Sequence, residues 1–346
     1  MKIAFIINDI KTEKANYTTM FLAFTAYKRG HQIFVLSVGD LGYSADGHMS
    51  AKARTVSEQH YKSGDTFFKA LESSEPVKVC SSDLDVLYLR NNPSDDINSR
   101  NWAQNAPYIF GQIAMRDGVI VLNHPASLSG AINKMYFQHF PEILRPKTII
   151  TRDTQEINEF FKEQKQKIIL KPLQGSGGKN VFILDKNSKS NMNQIIEAIS
   201  NDGFIIAQEY LPDAKNGDTR FFIMNGLPLE VNGSYAAMKR VNTNGDIRSN
   251  IHAGGKPQKA EVTPEMLDLV QILKPKLVQD GMFMVGVDIV GNKLMEINVF
   301  SPGGLNLISE MYQQDFGVEV IQSIERKVLY KKTYGQYVDN ITLATL

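Results

Sequence analysis

The stretch "GVDIVGNKLMEIN", residues 286–298, limits what this chain can fold into more than any other segment. Two apolar runs flank a Gly-Asn pair, which is the pattern of a β-hairpin. Glu296 and Asn298 are two residues apart, so on a strand they share a face. A two-residue loop at Gly291-Asn292 would set Asp288 opposite Met295 and turn Glu296 away from it. An odd loop centred on Asn292 instead sets Asp288 opposite Glu296. The apolar residues decide between the two, because only the odd loop gathers Val287, Ile289, Met295, Ile297 and Val299 on one face. The spacing therefore predicts that Asp288, Glu296 and Asn298 converge on the other face. Two facing carboxylates repel unless a cation lies between them, and two carboxylates with an amide suit a hard ion such as Mg²⁺ beside phosphate oxygens. A polar sheet face turned to solvent is the plainer alternative.

A second constraint is "LKPLQGSGGKNVFILD", residues 170–185. Its glycines lie between two strand-like runs and could simply supply positive φ for a hairpin turn. A Walker loop is excluded, because Lys179 is followed by Asn180 and a strand, and the dinucleotide fingerprint also needs a following helix. The phosphate-binding option that remains is a flexible hairpin offering successive backbone N–H groups to a polyphosphate. Such a loop needs cations. Lys171 is a charge inside the apolar run "IILKPL", costly unless an anion compensates it, and Lys134 stands on an expected helix between Asn133 and Met135. The alternatives are a sheet-edge lysine for the first and a solvated helix surface for the second.

The remaining pattern divides the chain into blocks. Residues 1–122 open with β-α-β signals and read as a Rossmann-like α/β domain, with a helix expected over about 97–117. Residues 123–200 read as a small α+β module, with one helix through "HPASLSGAINKMYFQHF" and another behind a capping box of Asp153 and Glu156. Residues 201–330 carry a hairpin through Asn225-Gly226, a helix opened by Thr263-Pro264 and a helix near 317–330; the tail, 331–346, is weakly patterned. Lys plus Arg, 38, nearly cancels Asp plus Glu, 37, so no general field draws nucleic acid or an anionic membrane, and any anion site must be local. Cys80 is the sole cysteine, which rules out a disulfide framework and a thiolate zinc site and suits a cytoplasmic setting. The opening carries no glycine fingerprint for a nicotinamide cofactor.

Taken in order, "NHPASLSGAINK", "IILKPLQGSGG", "AQEYLPDAKNGDTR", "GDIRSNIHAGG" and "VGVDIVGNKLMEINVFSP" resemble the ATP-grasp carboxylate–amine ligases, and within them the bacterial glutathione synthetase family. The resemblance runs from residue 2 to about 330. It implies an α/β (α+β) ATP-grasp fold with an N-terminal Rossmann-like domain, a small lid and a C-terminal mixed sheet. It implies an ATP-dependent ligation through an acyl-phosphate, with γ-glutamylcysteine and glycine as substrates. By this likeness Lys134 and Lys171 hold the nucleotide phosphates, and Gly175, Ser176, Gly177 and Gly178 form the loop over them. Gln208, Glu209, Tyr210 and Leu211 match the adenine hinge, and Asp218 falls where ribose or hinge contacts are made. Arg220 and Arg248 match the arginines on the transferred phosphate. Asp288, Glu296 and Asn298 match ligands of two Mg²⁺ ions, replaceable by Mn²⁺. Arg90, Asn250, Ser301, Gly303 and Gly304 fall in the substrate pockets, and a homodimer or tetramer is implied. This chain departs from the family at "RNNPSDD" after Tyr88-Leu89, where an acidic residue and a double proline are usual, at Ser249 in place of glycine, and at "GGLNLISEMY", where an arginine is usual. These changes touch the substrate pockets, so a related ligase with another carboxylate or amine, or a silent ATP-binding regulator, are the competing expectations.

Overall fold

The computed structural model describes residues 1–57, 59–175, 180–187, 191–201, 203–241 and 255–346. Its first sheet has four parallel strands in the order Gln32–Ser37, Lys2–Ile7, Val86–Leu89, Ile120–Leu122. These strands are continuous apolar runs because both faces are covered, Thr18–Lys28 and Ala106–Arg116 being two of the helices that connect and pack on them. The helix expected over 97–117 begins later. Pro107 fits the first turn of Ala106–Arg116, and upstream the chain makes short 3-10 turns at Pro93–Asp95 and Asn101–Ala103.

The segment expected as one helix through residue 140 is broken likewise. An α-helix covers only Pro125–Gly130, and a 3-10 stretch, Lys134–His139, follows after Asn133 caps Met135 N–H. Tyr136, Phe137 and Phe140 bury themselves in the main core rather than along one helix stripe. This segment then leads into the middle sheet, antiparallel, in the order Phe182–Leu184, Ile168–Pro172, Ile205–Glu209, Thr148–Thr151. Ile205–Glu209 lies between two earlier strands, so the expected boundary at residue 200 falls inside this sheet. Asp153 accepts from Gln155 and Glu156 N–H as expected, but its own N–H goes to Thr151 Oγ1, so only half of the capping box forms.

The third sheet is antiparallel, in the order Lys256–Lys259, Ala237–Val241, Asp218–Met224, Met284–Val290, Lys293–Asn298. Asn225 and Gly226, with φ of +54° and +73°, make the expected turn into Leu227–Pro228. One face, with Phe221, Val285, Val287, Ile289 and Leu294, packs on the helix Pro264–Gln279. On the other face Phe222, Met238 and Met284 meet the helices Leu305–Tyr312 and Phe316–Tyr334. Both clusters continue into the first sheet, so the first and third sheets form one body. Asn123 ties them by donating to the carbonyls of Met284 and Val299 and accepting from Met284 N–H. The tail is packed, contrary to its weak pattern. Asn340 exchanges two hydrogen bonds with the backbone of Val121, and Leu343 and Ala344 are buried. Among the described residues no helix is long and apolar enough to cross a membrane.

Candidate active site

The hairpin of residues 286–298 pairs Asp288 with Glu296, and Gly286 with Asn298, as expected, but by another route. Val290 faces Lys293, so Gly291-Asn292 is a two-residue turn after all, with φ of +57° at Gly291. A register shift follows: Ile289 faces Leu294, Asp288 faces Glu296, and Met295 is the extra residue of a β-bulge. The bulge restores the parity that an odd loop would have given. Leu294 takes the core place beside Ile289, while Met295 lines the cleft.

That cleft is a cavity of about 850 Å³ including its open mouth, between the middle sheet and the body. Lys171 reaches it from the strand Ile168–Pro172, Lys134 from the 3-10 segment, and Glu296 and Asn298 from the third sheet. Lys171 Nζ donates to Gln208 Oε1 at 3.0 Å, and Gln208 Nε2 donates to Thr148 Oγ1 at 3.1 Å. Burial pushes the Lys171 ammonium down to about 8, against the pull of Glu296 and helped by the like charge of Lys134. Lys134 donates from Nζ to Gly175 O at 2.6 Å, and its own N–H bonds Leu173 O at 3.0 Å. Burial lowers it as well, with Glu296 again opposing. Glu296 makes no hydrogen bond or ion pair with the described residues, and Asn298 Nδ2 is buried without a partner. Two cations thus face, across an open volume, a carboxylate that no described residue pairs with and an amide.

Behind this lies a buried network. Arg220 stands directly across from Asp288 and holds it through Nε at 2.5 Å and Nη2 at 2.9 Å, while Nη1 bonds Gly303 O at 3.3 Å. Arg240, opposite Asp218, pairs with Asp218 and, at 2.9 Å, with Asp288. Burial opposes the charge of Asp288, but the two guanidiniums hold its carboxyl at about 2; Asp218 is raised by burial and by Asp288. Arg240 was absent from the sequence reading, although a charge inside "AMKRV" is the same signal that singled out Lys171.

Of the hinge residues, Gln208 lines the cavity. Glu209 accepts from Lys147 N–H, the ring of Tyr210 lies 3.8 Å from Lys167 Nζ, and Leu211 leads into a 3-10 turn. Asp218 is not among the described lining residues, its carboxylate being taken by Arg240. Ser301 lines the cavity. Gly304, at φ +104°, leaves no room for a Cβ, which would lie 2.5 Å from Met238 Cε, and its N–H bonds Thr18 Oγ1. Arg90 is buried and donates to the carbonyl of Pro302 at 3.0 Å. Ser176, Gly177, Gly178, Arg248 and Asn250 lie outside the described residues.

Among the described residues no group of three His, Cys, Asp or Glu is placed to hold a metal ion, and Asp288, both of whose oxygens are held by arginines, is not among the described lining residues, so the protein offers a hard cation in the cleft one carboxylate, Glu296, and one amide, Asn298. Glu296, without a partner among the described residues, fits that role through its carboxylate and Asn298 through Oδ1, while the orphaned Nδ2 of Asn298 is a donor suited to a phosphate oxygen. The model of the prokaryotic glutathione synthetase ATP-grasp domain matches residues 133–313, and that of the prokaryotic glutathione synthetase N-terminal domain matches residues 1–129. Glutathione synthetase of Brucella melitensis is 32% identical over 89% of this chain and 93% of its own length, and that of Synechocystis 30% identical over 94% and 100%. Among solved structures, D-cycloserine synthetase DcsG shares the fold with a TM-score of 0.63 at 12% identity, covering 94% of this chain and 99% of its own. The ATP-grasp ligase PsnB, solved with its minimal precursor, Mg and ADP, aligns with a TM-score of 0.57 at 13% identity, covering 94% and 98%. With an ATP-grasp architecture and both domain models matched along its length, this chain belongs to the prokaryotic glutathione synthetase family.

Proposed function

We propose that this protein is an ATP-dependent carboxylate–amine ligase of glutathione synthetase type, joining γ-glutamylcysteine to glycine and releasing ADP and phosphate. The observation that carries the reading is the facing of Lys134 and Lys171 with Glu296 and Asn298 across one cleft between the middle sheet and the body. Lys134 and Lys171 bind the nucleotide phosphates. Their burial raises the cost of leaving them without an anion and so favours the charged ligand. Glu296 and Asn298 would hold Mg²⁺, joined by Asp288 once it leaves its arginines, with two ions by likeness to the family and Mn²⁺ as a substitute, and the metal would supply charge neutralisation on the phosphate oxygens.

Arg220, fixed by Asp288 and the carbonyl of Gly303, presents a preset positive charge to the phosphoryl group passing to the donor carboxylate. The amine then displaces phosphate from the acyl-phosphate. No side chain need form a covalent bond. The residues of the cleft orient the two substrates and keep water from the intermediate. Gly303 favours a second reading, a bulkier amine in the same reaction, because a Cβ there would meet nothing within 4 Å. The test is ADP release with γ-glutamylcysteine plus glycine against a panel of other amino acids and dipeptides. Release with the first pair supports the proposal; release with the panel alone overturns it.

A further inference from the structure

The first sheet holds a polar cluster that this chemistry does not use. Its strand order reverses between Lys2–Ile7 and Val86–Leu89, since the chain crosses from the first to one side and from the second to the other. In open parallel sheets the loops leaving two such strands frame a crevice at their carboxyl ends, where ligands settle. Here one loop carries Glu13 and the other begins with Arg90. Arg90 is 2% exposed; Nε donates to Thr19 Oγ1 at 3.3 Å and Nη2 to the carbonyl of Pro302 at 3.0 Å. Its Nη1 is buried without a partner, and so is Oε1 of Glu13.

The two charges act on each other, yet among the described residues no ion pair joins them. Burial pushes the Glu13 carboxyl up to about 7 even against the attraction of Arg90. A half-buried carboxylate with one oxygen sealed from water and a buried guanidinium that do not close on one another forfeit the attraction that would offset their desolvation. A ligand bearing both opposite charges a few ångströms apart restores it, and an α-amino acid head group is such a ligand.

We infer that Glu13 and Arg90 together receive the free α-amino-acid head of the donor peptide, Glu13 binding its ammonium and Arg90 its α-carboxylate. This rests on the ligase reading above and adds Glu13 as the residue that selects donors with a free amine. The layout suits a dipeptide. Arg90 grips the carbonyl of Pro302 and Arg220 that of Gly303, so the head-group site and the phosphoryl-side arginine flank adjacent residues of one turn.

The test compares three donors with glycine as acceptor: γ-glutamylcysteine, glutarylcysteine, which lacks only the ammonium, and 4-aminobutyrylcysteine, which lacks only the α-carboxylate. Loss of one charge-assisted hydrogen bond lowers kcat/KM by roughly 10- to 100-fold, so the wild type should disfavour glutarylcysteine by that factor. Glu13→Gln should impose a similar loss on γ-glutamylcysteine, abolish discrimination against glutarylcysteine, retain it against 4-aminobutyrylcysteine, and leave KM for ATP unchanged. Equal use of γ-glutamylcysteine and glutarylcysteine by the wild type overturns the role of Glu13 without any variant, and so does unchanged discrimination in Glu13→Gln. Failure of the wild type to turn over γ-glutamylcysteine with any acceptor of the amine panel overturns the donor assignment of the ligase reading, and the inference with it.

Discussion

The middle sheet and the body around it are built differently. The middle sheet closes a core on itself, with Phe160, Phe161, Ile168, Leu170, Ile196 and Ile205 in a cluster that includes no residue of the other sheets. The first and third sheets share both of their clusters, and the third sheet keeps a buried charged network of its own. A separate small core can tilt as a unit without opening the larger one, whereas the body can only open as a whole. The difference assigns opposite requirements to the two sides of the cleft: Lys171 rides on the part that can move, and Glu296 on the part that cannot.

The largest effect should come from the fixed side. Glu296→Gln removes a charge aimed into the cleft that no described residue pairs with directly, so turnover should fall by on the order of 10³-fold or more as several kcal/mol of charge stabilisation are lost. Its urea midpoint should match the wild type. Wild-type turnover at saturating ATP would remove Glu296 from the metal assignment and weaken the contrast between the two sides.

Phe161→Ala tests the separateness of the small core directly. Phe161 is fully buried there, so truncation should cost about 3–5 kcal/mol. Hydrogen exchange should show amides of Ile168–Pro172 and Ile205–Glu209 losing protection while those of Lys2–Ile7 and Met284–Val290 keep theirs. Equal losses in all four strands would mean a single cooperative unit.

Lys171→Met comes next and should raise KM for ATP by roughly 10- to 100-fold, the loss of one charge-assisted contact. It also has a signature in pH. Lys171 gives up its proton at about 8 in the folded protein against an ordinary 10.5. Between those values the unfolded chain binds more protons, so the middle domain gains stability as pH rises from 8 towards 10.5, and the cost of burying the charge is fully present below 8. In Lys171→Met this slope in exchange protection should vanish. Persistence of the slope would assign it to another group.

Local pattern made much of this legible and long-range pairing hid the rest. Buried strands announce themselves as apolar runs, and a lysine inside such a run, Lys171, proved to be a cleft residue. The facing of Asp288 and Glu296 was legible from apolar parity, but a bulge at Met295 supplies the parity, and a bulge leaves no mark when the extra residue is itself apolar. Arg240 carried the same signal as Lys171, but its pairing with Asp218 was hidden, because it is set by the register of two strands with a hairpin and further chain between them. The helix expected through residue 140 failed for a similar reason: Tyr136, Phe137 and Phe140 find the body core one by one, and tertiary burial overrides their spacing. Glu13 carried no signal in the sequence, since an unpaired oxygen is visible only once its neighbours are in place.

The smallest expected effect is the sharpest test of whether the middle domain stands alone. Asp153 caps the helix Thr154–Glu163, accepting from Gln155 N–H at 2.6 Å and from Glu156 N–H at 3.4 Å. Asp153→Ala should cost about 1 kcal/mol, typical of a lost cap. In a protein that opens as one unit, a loss of that size would be shared by every strongly protected amide. With a closed small core, it should instead lower protection about five-fold in the Thr154–Glu163 helix and its sheet, leave the body strands unchanged, and leave KM for ATP as it was. A uniform five-fold fall across all three sheets would show the cores to be coupled through the 3-10 segment at Lys134, whose N–H is bonded to Leu173 O and whose aromatic neighbours are buried in the body.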